Sequence, residues 1–355
     1  MKILAINPGS TSTKIAVYED LNEVFTKTLR HSVEELAPYK NIIEQNEFRK
    51  NIIVEALNEQ DIDINSLDAI VGRGGLLKPI PGGVYKINEN LLHDLKDGKR
   101  GEHASNLGGI LAFELKAVIN KDIPAYIVDP VVVDELQDLA RLSGHPELPR
   151  VSIFHALNQK AIANRFAREN GKKYNELNLI VVHLGGGISI GTHEKGKVID
   201  VNNALDGDGP YSPERSGGLP ARQLAELCFS GKYTYDDIRK FITGRGGFVA
   251  YLNSNDAYQI ELQSNAGEPK ARLIYEGMAY QIAKSIGASA TVLKGNVDQI
   301  LMTGGIAKSQ PIIDWVKERT SFIAPMTVYP GEDEMQALAE SAYYAGIGEY
   351  EVKEY

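Results

Sequence analysis

The feature that most restricts the fold of this 355-residue chain is a strand–turn–strand pattern that occurs twice. The first copy covers residues 3–18, with a polar turn at 7–12, and the second covers residues 179–191, with a glycine turn at 183–187. Apolar runs on either side of a Gly, Ser, Asn or Pro cluster are typical of β-hairpins. The turns begin 176 residues apart (183 − 7), almost half of the chain. The two copies share few residues, so what repeats is the pattern. A strand–turn–strand pattern that recurs after half of the chain predicts a duplicated domain.

Strand and helix patterns alternate along the rest of the chain. Strand patterns occur at 67–71, 126–128 and 299–302, and helical patterns occur at 33–58, 104–119, 156–168, 310–319 and 335–345. Such alternation favours an α/β fold. At about 100–200 residues per domain, the length predicts two domains or three.

Composition and charge restrict the class of protein. The chain has 38 Lys and Arg against 47 Asp and Glu, a net charge of −9, whereas nucleic-acid binders usually carry a basic face. Its single cysteine, Cys228, can form neither an intrachain disulfide nor a cysteine-rich zinc site. No run reaches the ~18 apolar residues of a membrane helix, and the first residues lack a signal-peptide pattern. We therefore expect a soluble, cytoplasmic protein with neither nucleic-acid nor membrane partners.

The two hairpin turns are candidates for binding phosphate. The first turn adds the hydroxyls of Ser10, Thr11 and Ser12 and the cation of Lys14, and the second has His183 before three glycines. Successive backbone N–H groups form an anion-binding concavity, and glycine lets the main chain approach closely. The alternative for either turn alone is an ordinary tight hairpin. The chain contains neither G-x-x-x-x-G-K-[ST] nor G-x-G-x-x-G, so a nucleotide would bind between the two hairpins.

Two arginines lie among small residues. Arg73 lies within 72–75 and Arg215 within 214–218, where the neighbouring glycines would let a ligand reach the guanidinium group. The planar fork of donors on arginine suits both carboxylate and phosphate. The alternative for each is a solvated loop arginine.

Asp129, His155 and His183 are further candidates. Asp129 follows a strand and precedes a proline, which is typical of active-site carboxylates and also of turns. The two histidines border apolar segments, which fits either a site or a buried core histidine. None of the seven histidines shows the spacing of a metal site.

Six segments, in order along the whole chain, resemble the signatures of the acetate and butyrate kinases. They are residues 6–14, 71–75, 154–156, 182–189, 212–218 and 303–306. This acetokinase family belongs to the superfamily of acetate and sugar kinases, Hsp70 and actin. Acetate kinases are longer and usually carry His before the first arginine and Gly-Asn-Gly in the second turn. The chain has Gly72 and three glycines there, and with residues 76–83 it is more similar to the butyrate kinases.

The resemblance implies an α/β fold of duplicated ribonuclease H-like (actin-like ATPase) domains, with helices flanking mixed sheets and a cleft between the domains. The first domain would comprise 1–148 and 337–355, because the last helix returns to the N-terminal domain in this superfamily. The second domain, 149–336, would carry the adenosine site. The family also implies a homo-oligomer, a dimer or larger.

The resemblance further implies reversible phosphoryl transfer between ATP and a short-chain carboxylate, with Mg²⁺. Butyrate is the expected substrate, and isobutyrate, acetate and propionate are alternatives. The implied catalytic residues are Arg73, Asp129, His155, His183 and Arg215. The implied nucleotide contacts are Asn7, Ser10, Ser12, Lys14, Gly185, Gly186, Gly187, Asp256, Gly304, Gly305 and Ile306, and the implied magnesium residues are Asp129 and Glu334.

Direct in-line transfer is the expected mechanism. A carboxylate is ionised at pH 7 and attacks phosphorus without a protein nucleophile or a strong base. The site must bring two anions together and stabilise the equatorial oxygens of the transition state, for which arginines, Mg²⁺ and backbone N–H groups are suited. The alternatives are a covalent phospho-enzyme on a carboxylate or histidine, and a non-catalytic ATP-binding protein of the actin type.

Overall fold

Two mixed β-sheets lie at the centres of the two compact units into which the chain divides. The computed structural model describes residues 1–99 and 101–355. The first unit is Met1–Asp134 with Asp333–Tyr355, and the second is Glu135–Glu332. These bounds differ from the expected 148 and 337. The segment after residue 134 is bonded to the second unit, because Glu135 accepts hydrogen bonds from Lys160 Nζ (3.1 Å) and from the backbone N–H of Val198 (2.8 Å).

The described residues form twelve strands and thirteen α-helices. The strands are β1 (Lys2–Pro8), β2 (Ser12–Glu19), β3 (Asn22–Arg30), β4 (Ala69–Arg73), β5 (Val84–Lys86), β6 (Ala125–Val128), β7 (Asn178–Leu184), β8 (Ile188–Glu194), β9 (Lys197–Val201), β10 (Gln299–Gly304), β11 (Met326–Pro330) and β12 (Val352–Lys353). The helices are α1 (Val33–Leu36), α2 (Asn46–Asn58), α3 (Glu89–Asp97), α4 (Asn106–Ala117), α5 (Asp138–Arg141), α6 (Ala156–Glu169), α7 (Ala221–Cys228), α8 (Tyr235–Ile242), α9 (Gly247–Leu252), α10 (Ala257–Asn265), α11 (Pro269–Val292), α12 (Gln310–Thr320) and α13 (Glu334–Gly346).

The two sheets share one strand pattern. The order is β12-β5-β6-β4-β1-β2-β3 in the first unit and β11-β10-β7-β8-β9 in the second. In the first sheet, β1–β3 form an antiparallel meander, and β4 and then β6 lie parallel on the other side of β1. In the second sheet, β7–β9 form the meander, and β10 and then β11 lie parallel on the other side of β7. The repeated topology confirms the predicted α/β fold of duplicated domains with mixed sheets.

The central strand β7 shows how the sheet of the second unit is buried on both faces. Its side chains alternate between two hydrophobic clusters. Ile180, Val182 and Leu184 pack in one cluster with residues of α11, and Leu179 and Val181 pack in another with residues of α6. Successive side chains of a strand point to opposite faces, so a strand covered on both sides has an unbroken apolar run.

In the first unit, α4 and α13 both pack on β1, β4 and β6. Gly72 and Gly108 let α4 approach β4, because a Cβ at Gly72 would overlap the Gly108 carbonyl group and a Cβ at Gly108 would overlap the carbonyl oxygen of Arg73. Gly72 therefore serves helix–sheet packing, and the close contact fixes the strand end that carries Arg73.

The helix predicted over 33–58 is wrong as a single element. It forms α1 and α2, separated by a turn and a short 3₁₀ segment at Ile43–Gln45. Pro38 lies just after α1, and proline lacks the N–H that a helix interior needs. Within the part of the chain that the structure describes, no helix combines the length and the apolar character that crossing a membrane requires.

Candidate active site

Three predicted site residues lie at the carboxyl ends of three neighbouring parallel strands in the first unit. Asn7 is the second-to-last residue of β1, Arg73 is the last residue of β4, and Asp129 follows β6 directly. Since β1, β4 and β6 are adjacent and parallel, their carboxyl ends meet at one edge of the sheet. In α/β sheets this edge is the usual place for ligands.

Asn7, Arg73 and Glu334 form one hydrogen-bonded group at this edge. Glu334 Oε2 accepts hydrogen bonds from Asn7 Nδ2 (2.6 Å) and Arg73 Nη1 (3.1 Å). Arg73 Nη1 also lies 3.4 Å from Asn7 Oδ1. In the described part of the chain, Nε and Nη2 of Arg73 have no protein partner, and 35% of its side chain is exposed. The guanidinium group is thus oriented from one side and keeps donors for an anion.

Asp129 has a strained backbone. Its φ of +35° lies in the left-handed region, which is uncommon for a residue with a Cβ. The Asp129 carboxylate accepts a hydrogen bond from the Gly83 N–H (2.7 Å), and the Asp129 N–H donates to the Gly83 carbonyl (3.1 Å). Such strain persists where the surroundings hold a residue in place, as they do at active sites. The two bonds fix the carboxylate at the strand end.

The first hairpin turn borders a pocket of about 700 Å³ within the first unit. Five predicted residues line this pocket, namely Asn7, Ser10, Ser12, Lys14 and Arg73. Residues that the sequence did not indicate, such as Lys40 and His103, line it as well. Lys14, Lys40 and Arg73 lie on its wall with the carboxylate of Glu102, while the carboxylate of Glu334 is paired with Arg73. The lysines and the remaining donors of Arg73 favour an anion in the pocket.

In the second unit, His155 and His183 stack on each other. Their ring centroids are 3.8 Å apart, with an interplanar angle of 13°. His183 is 2% exposed; its Nδ1–H donates to Asn158 Oδ1 (2.7 Å), and its Nε2 lies 3.1 Å from Glu332 Oε1. His155 Nδ1 forms a hydrogen bond of 2.9 Å with Ser189 Oγ. Both rings are therefore held in fixed orientations.

Arg215 lies near the same histidines across the second hairpin turn. A Cβ at Gly187 would lie 3.6 Å from His155 Cε1 and 3.8 Å from the guanidinium carbon of Arg215, so the glycine separates the two side chains. Arg215 Nη1 donates to the Ala204 carbonyl (3.3 Å). Burial lowers the pKa of Arg215, although the nearby carboxylates of Glu214 and Asp206 oppose that shift.

The other glycines of the second turn have local contacts with the site. A Cβ at Gly185 would lie 3.0 Å from His183 Nε2 and 3.1 Å from Glu332 Oε1. The Gly186 carbonyl accepts a hydrogen bond of 2.5 Å from Ser212 Oγ. The turn is therefore crowded at Gly185 but not at Gly186, where the nearest atom to a Cβ would be Glu214 Oε2 at 3.9 Å, and the turn connects the histidines to the loop of Arg215.

The predicted adenosine residues fall at two places in the second unit. Gly304 ends β10 with a φ of +93°, and a Cβ there would overlap the Leu184 carbonyl. Gly305 and Ile306 begin the 3₁₀ segment Gly305–Lys308. Asp256 is the N-cap of α10, and its carboxylate accepts from the Gln259 N–H (3.0 Å). Helix capping accounts for Asp256 without a ligand.

Besides Lys40 and His103, four residues were not indicated by the sequence: Arg49, which contacts the first hairpin turn, and Asn158, Gln159 and Glu332, which lie near the stacked histidines. Arg49, Asn158 and Gln159 are buried polar residues on helices, and Gln159 Nε2 donates to Ser189 Oγ (2.8 Å), the partner of His155. A polar residue in a helix is normally read as exposed, so a single sequence gives no sign of its burial. Glu332 comes two residues after β11, as Asp129 comes directly after β6, and an acidic residue soon after a strand is the signal that could have found it.

A family model described as the acetokinase family matches residues 149–322. Butyrate kinase 2 and butyrate kinase 1 of Clostridium acetobutylicum are 58% and 57% identical over 354 residues, which covers 100% of this chain and 99% of each relative.

Solved structures have the same fold. The acetate kinase of Porphyromonas gingivalis matches with a TM-score of 0.79 and 18% identity, covering 98% of this chain and 99% of that chain. A propionate kinase from Francisella tularensis matches with a TM-score of 0.74 and 17% identity, covering 96% and 98%.

Proposed function

Because the chain belongs to the acetokinase family, we propose that it catalyses the reversible transfer of a phosphoryl group between ATP and butyrate. The observation that carries the proposal is the 58% identity to a butyrate kinase over the full chain. In the forward reaction a carboxylate oxygen of butyrate attacks the γ-phosphorus. The new O–P bond forms as the bond from that phosphorus to the β,γ-bridging oxygen breaks, which yields butyryl phosphate and ADP.

The first unit would hold the acyl group and the transferred phosphoryl group. Arg73 is suited to this role because Glu334 and Asn7 orient its guanidinium group while Nε and Nη2 stay available. A donor held in place before the reaction costs no reorganisation as charge develops on the phosphoryl oxygens. Lys14, on the wall of the pocket, would add a second cation.

The second unit would hold the nucleotide. His155, His183 and Arg215 lie around the second hairpin turn, and each has a bonded partner that limits its motion. They would donate to phosphate oxygens, and the turn at 304–306 would contact the adenosine. The carboxylate of butyrate is ionised at neutral pH and can attack phosphorus without help from a protein nucleophile, which favours direct transfer over a covalent intermediate.

The residues proposed for Mg²⁺ suit the ion. Mg²⁺ usually takes one or two carboxylates and completes its shell with water and substrate phosphates. Asp129 and Glu334 are two half-buried carboxylates, and the described residues hold no cluster of three or more acidic, His or Cys side chains that would form a complete cage. We assign Asp129 and Glu334 as the residues that would hold Mg²⁺, which when bound would neutralise charge on the phosphates.

A hydroxamate assay tests the proposal. The protein is incubated with MgATP and butyrate in the presence of hydroxylamine, which traps an acyl phosphate as a coloured hydroxamate. The expected result is hydroxamate formation that depends on both substrates. If no acid from acetate to hexanoate gives a product while MgATP still binds, the protein is instead a non-catalytic nucleotide-binding member of the fold.

Substrate preference is tested by kcat/KM across acetate, propionate, butyrate, isobutyrate and valerate. One methylene buried in an apolar pocket contributes only ~0.8 kcal/mol, so we expect neighbouring acids to differ by about fourfold rather than by orders of magnitude. Stereochemistry at a chiral phosphorus separates the mechanisms, since one direct transfer inverts the configuration and two successive transfers retain it. Cytoplasmic location and assembly as a dimer or larger, which family resemblance supports, are tested by cell fractionation and light scattering.

A further inference from the structure

Arg49 lies directly beneath the first hairpin turn, although nothing in the sequence marked it. Its side chain, on α2, is 0% exposed. It donates hydrogen bonds to the carbonyl oxygens of Gly9 (2.8 Å), Ser10 (3.0 Å) and Ser12 (2.9 Å). It also donates to Thr13 Oγ1 (3.0 Å) and, through Nε and Nη2, to Gln45 Oε1 (3.1 and 2.7 Å). One guanidinium group therefore organises the whole turn.

The hydrogen bonds to Arg49 determine where the backbone N–H groups of the turn point. The peptide bonds are trans, so the N–H of each residue points away from the carbonyl of the residue before it. Since the carbonyls of Gly9 and Ser10 point at Arg49, the N–H groups of Ser10 and Thr11 point away from it. Within the described chain neither N–H has a hydrogen-bond partner. Two adjacent free N–H groups that point the same way suit an anion.

Among residues 1–99 and 101–355, the charge on Arg49 has no counter-ion. No carboxylate of the described residues lies within ion-pair distance of Arg49, and its buried partners are neutral carbonyl, hydroxyl and amide oxygens. Burial lowers the pKa of Arg49 to about 10, so the group stays charged at neutral pH. Buried charges in proteins are normally paired, because an unpaired one is costly. An anion on the far side of the turn would balance this charge.

The neighbouring histidine, His31, adds no second positive charge beneath the turn at neutral pH. His31 Nε2 forms a hydrogen bond with Thr13 Oγ1 (2.9 Å), the hydroxyl that Arg49 also contacts. Burial, and then the charge of Arg49, lower the pKa of His31 to about 4. At neutral pH the region beneath the turn therefore holds one positive charge.

We propose that Arg49 is a positioning residue for a phosphoryl group. It holds the carbonyls of Gly9, Ser10 and Ser12 so that the Ser10 and Thr11 N–H groups face the ligand, and its unpaired charge attracts the phosphate. The inference rests on the proposed function of the first hairpin turn. The phosphoryl group comes from the γ-phosphate of ATP in one direction and from the acyl phosphate in the other.

The experiment compares Arg49→Lys and Arg49→Met with Ile53→Ala. Ile53 lies one turn further along the same helix and is also 0% exposed, but its side chain packs in the hydrophobic core. For each variant we would measure the Kd for MgATP by calorimetry without acceptor, the KM values for MgATP, butyrate and butyryl phosphate, and Tm.

We expect Arg49→Lys to raise the Kd for MgATP and the KM for both phosphoryl donors about tenfold, because lysine keeps the charge but not the fork of donors. The KM for butyrate should change less than twofold. Arg49→Met should have the larger effect on the donors. Ile53→Ala should lower Tm and leave all three KM values unchanged.

The proposal is overturned if the Arg49 variants lower Tm as Ile53→Ala does and leave the Kd and both donor KM values within twofold of the wild type. If Arg49→Met does not fold, Arg49→Lys decides alone. An effect on one donor only supports the proposal and identifies the source of the phosphoryl group. Wild-type protein that binds MgATP but forms no hydroxamate refutes the proposed function, and the Kd comparison still tests Arg49.

Discussion

Removing the guanidinium group of Arg73 should lower the turnover rate far more than the stability of the fold. In Arg73→Ala, Glu334 Oε2 loses its 3.1 Å ion pair and keeps the hydrogen bond from Asn7. An ion pair with a side chain 35% exposed contributes at most about 1 kcal/mol to stability after solvent screening. Loss of one oriented donor to a developing oxyanion costs about 10²–10³ in kcat, or ~2.7–4 kcal/mol. The catalytic loss should therefore exceed the loss of stability severalfold.

Initial rates of hydroxamate formation and urea unfolding of the same preparation give both quantities. Arg222→Ala is the matched control, because Arg222 forms an exposed ion pair with Glu226 (2.9 Å) and takes no part in either group of site residues. We expect kcat to fall at least a hundredfold in Arg73→Ala and to stay unchanged in Arg222→Ala. A kcat for Arg73→Ala within fivefold of the wild type would refute the assignment of Arg73 to the reacting phosphoryl group.

Three further predictions follow from individual contacts. Asn158→Ala removes the acceptor that holds His183 Nδ1 at 2.7 Å, so steady-state kinetics should show kcat reduced about tenfold, the equivalent of one hydrogen bond; an unchanged kcat would contradict a role in orienting the ring. Gly304→Ala places a Cβ at a φ of +93° against a carbonyl group, so it should lower the free energy of unfolding in urea by ~2 kcal/mol or more. Gly305→Ala is the control: its Cβ meets open space, and it should change the free energy of unfolding by less than ~0.5 kcal/mol. Burial and the charge of Arg49 lower the pKa of His31 from 6.5 to about 4. As pH drops from 6.5 towards 4, the unfolded chain is protonated at His31 before the folded protein is, so the free energy of unfolding falls. His31→Phe should flatten this dependence on pH in urea titrations, and an unchanged dependence would assign it to other groups.

The hairpins and the α/β fold could be predicted because their patterns are local. The turn at 7–12 and the glycines at 185–187 interrupt apolar strands, and both occur as expected between β1 and β2 and between β7 and β8. The single helix over 33–58 was wrong, since helical spacing on both sides of Pro38 outweighed the break that a proline imposes. Local patterns predict the existence of an element better than its continuity.

The site was only partly predictable, because its contacts join residues distant in sequence. Glu334 bonds to Asn7 across 327 positions, and no local pattern records that contact. Arg49 is a charged residue within a helical pattern, which normally indicates an exposed side chain. Only the contacts with the folded hairpin show that it is buried. Gly72 has a role that the sequence did not indicate: its place beside Arg73 suggested access for a ligand, and the structure shows that it also lets α4 pack on β4.

Duplication gives the two units equivalent positions at their strand ends, and the side chains at these positions differ. Asn7 and His183 are both second-to-last residues of the strands that begin each meander, and Arg73 and Gly304 are both last residues of the parallel neighbour. Where the first unit ends its strand with a cation, the second ends it with a glycine at a φ of +93°, whose missing side chain leaves room for the Leu184 carbonyl group. A cation at a strand end suits a charged reacting group, whereas a strand end without a charge suits a neutral one. This difference is consistent with our proposal that the first unit holds the acyl and phosphoryl groups and the second holds the adenosine, on one repeated scaffold.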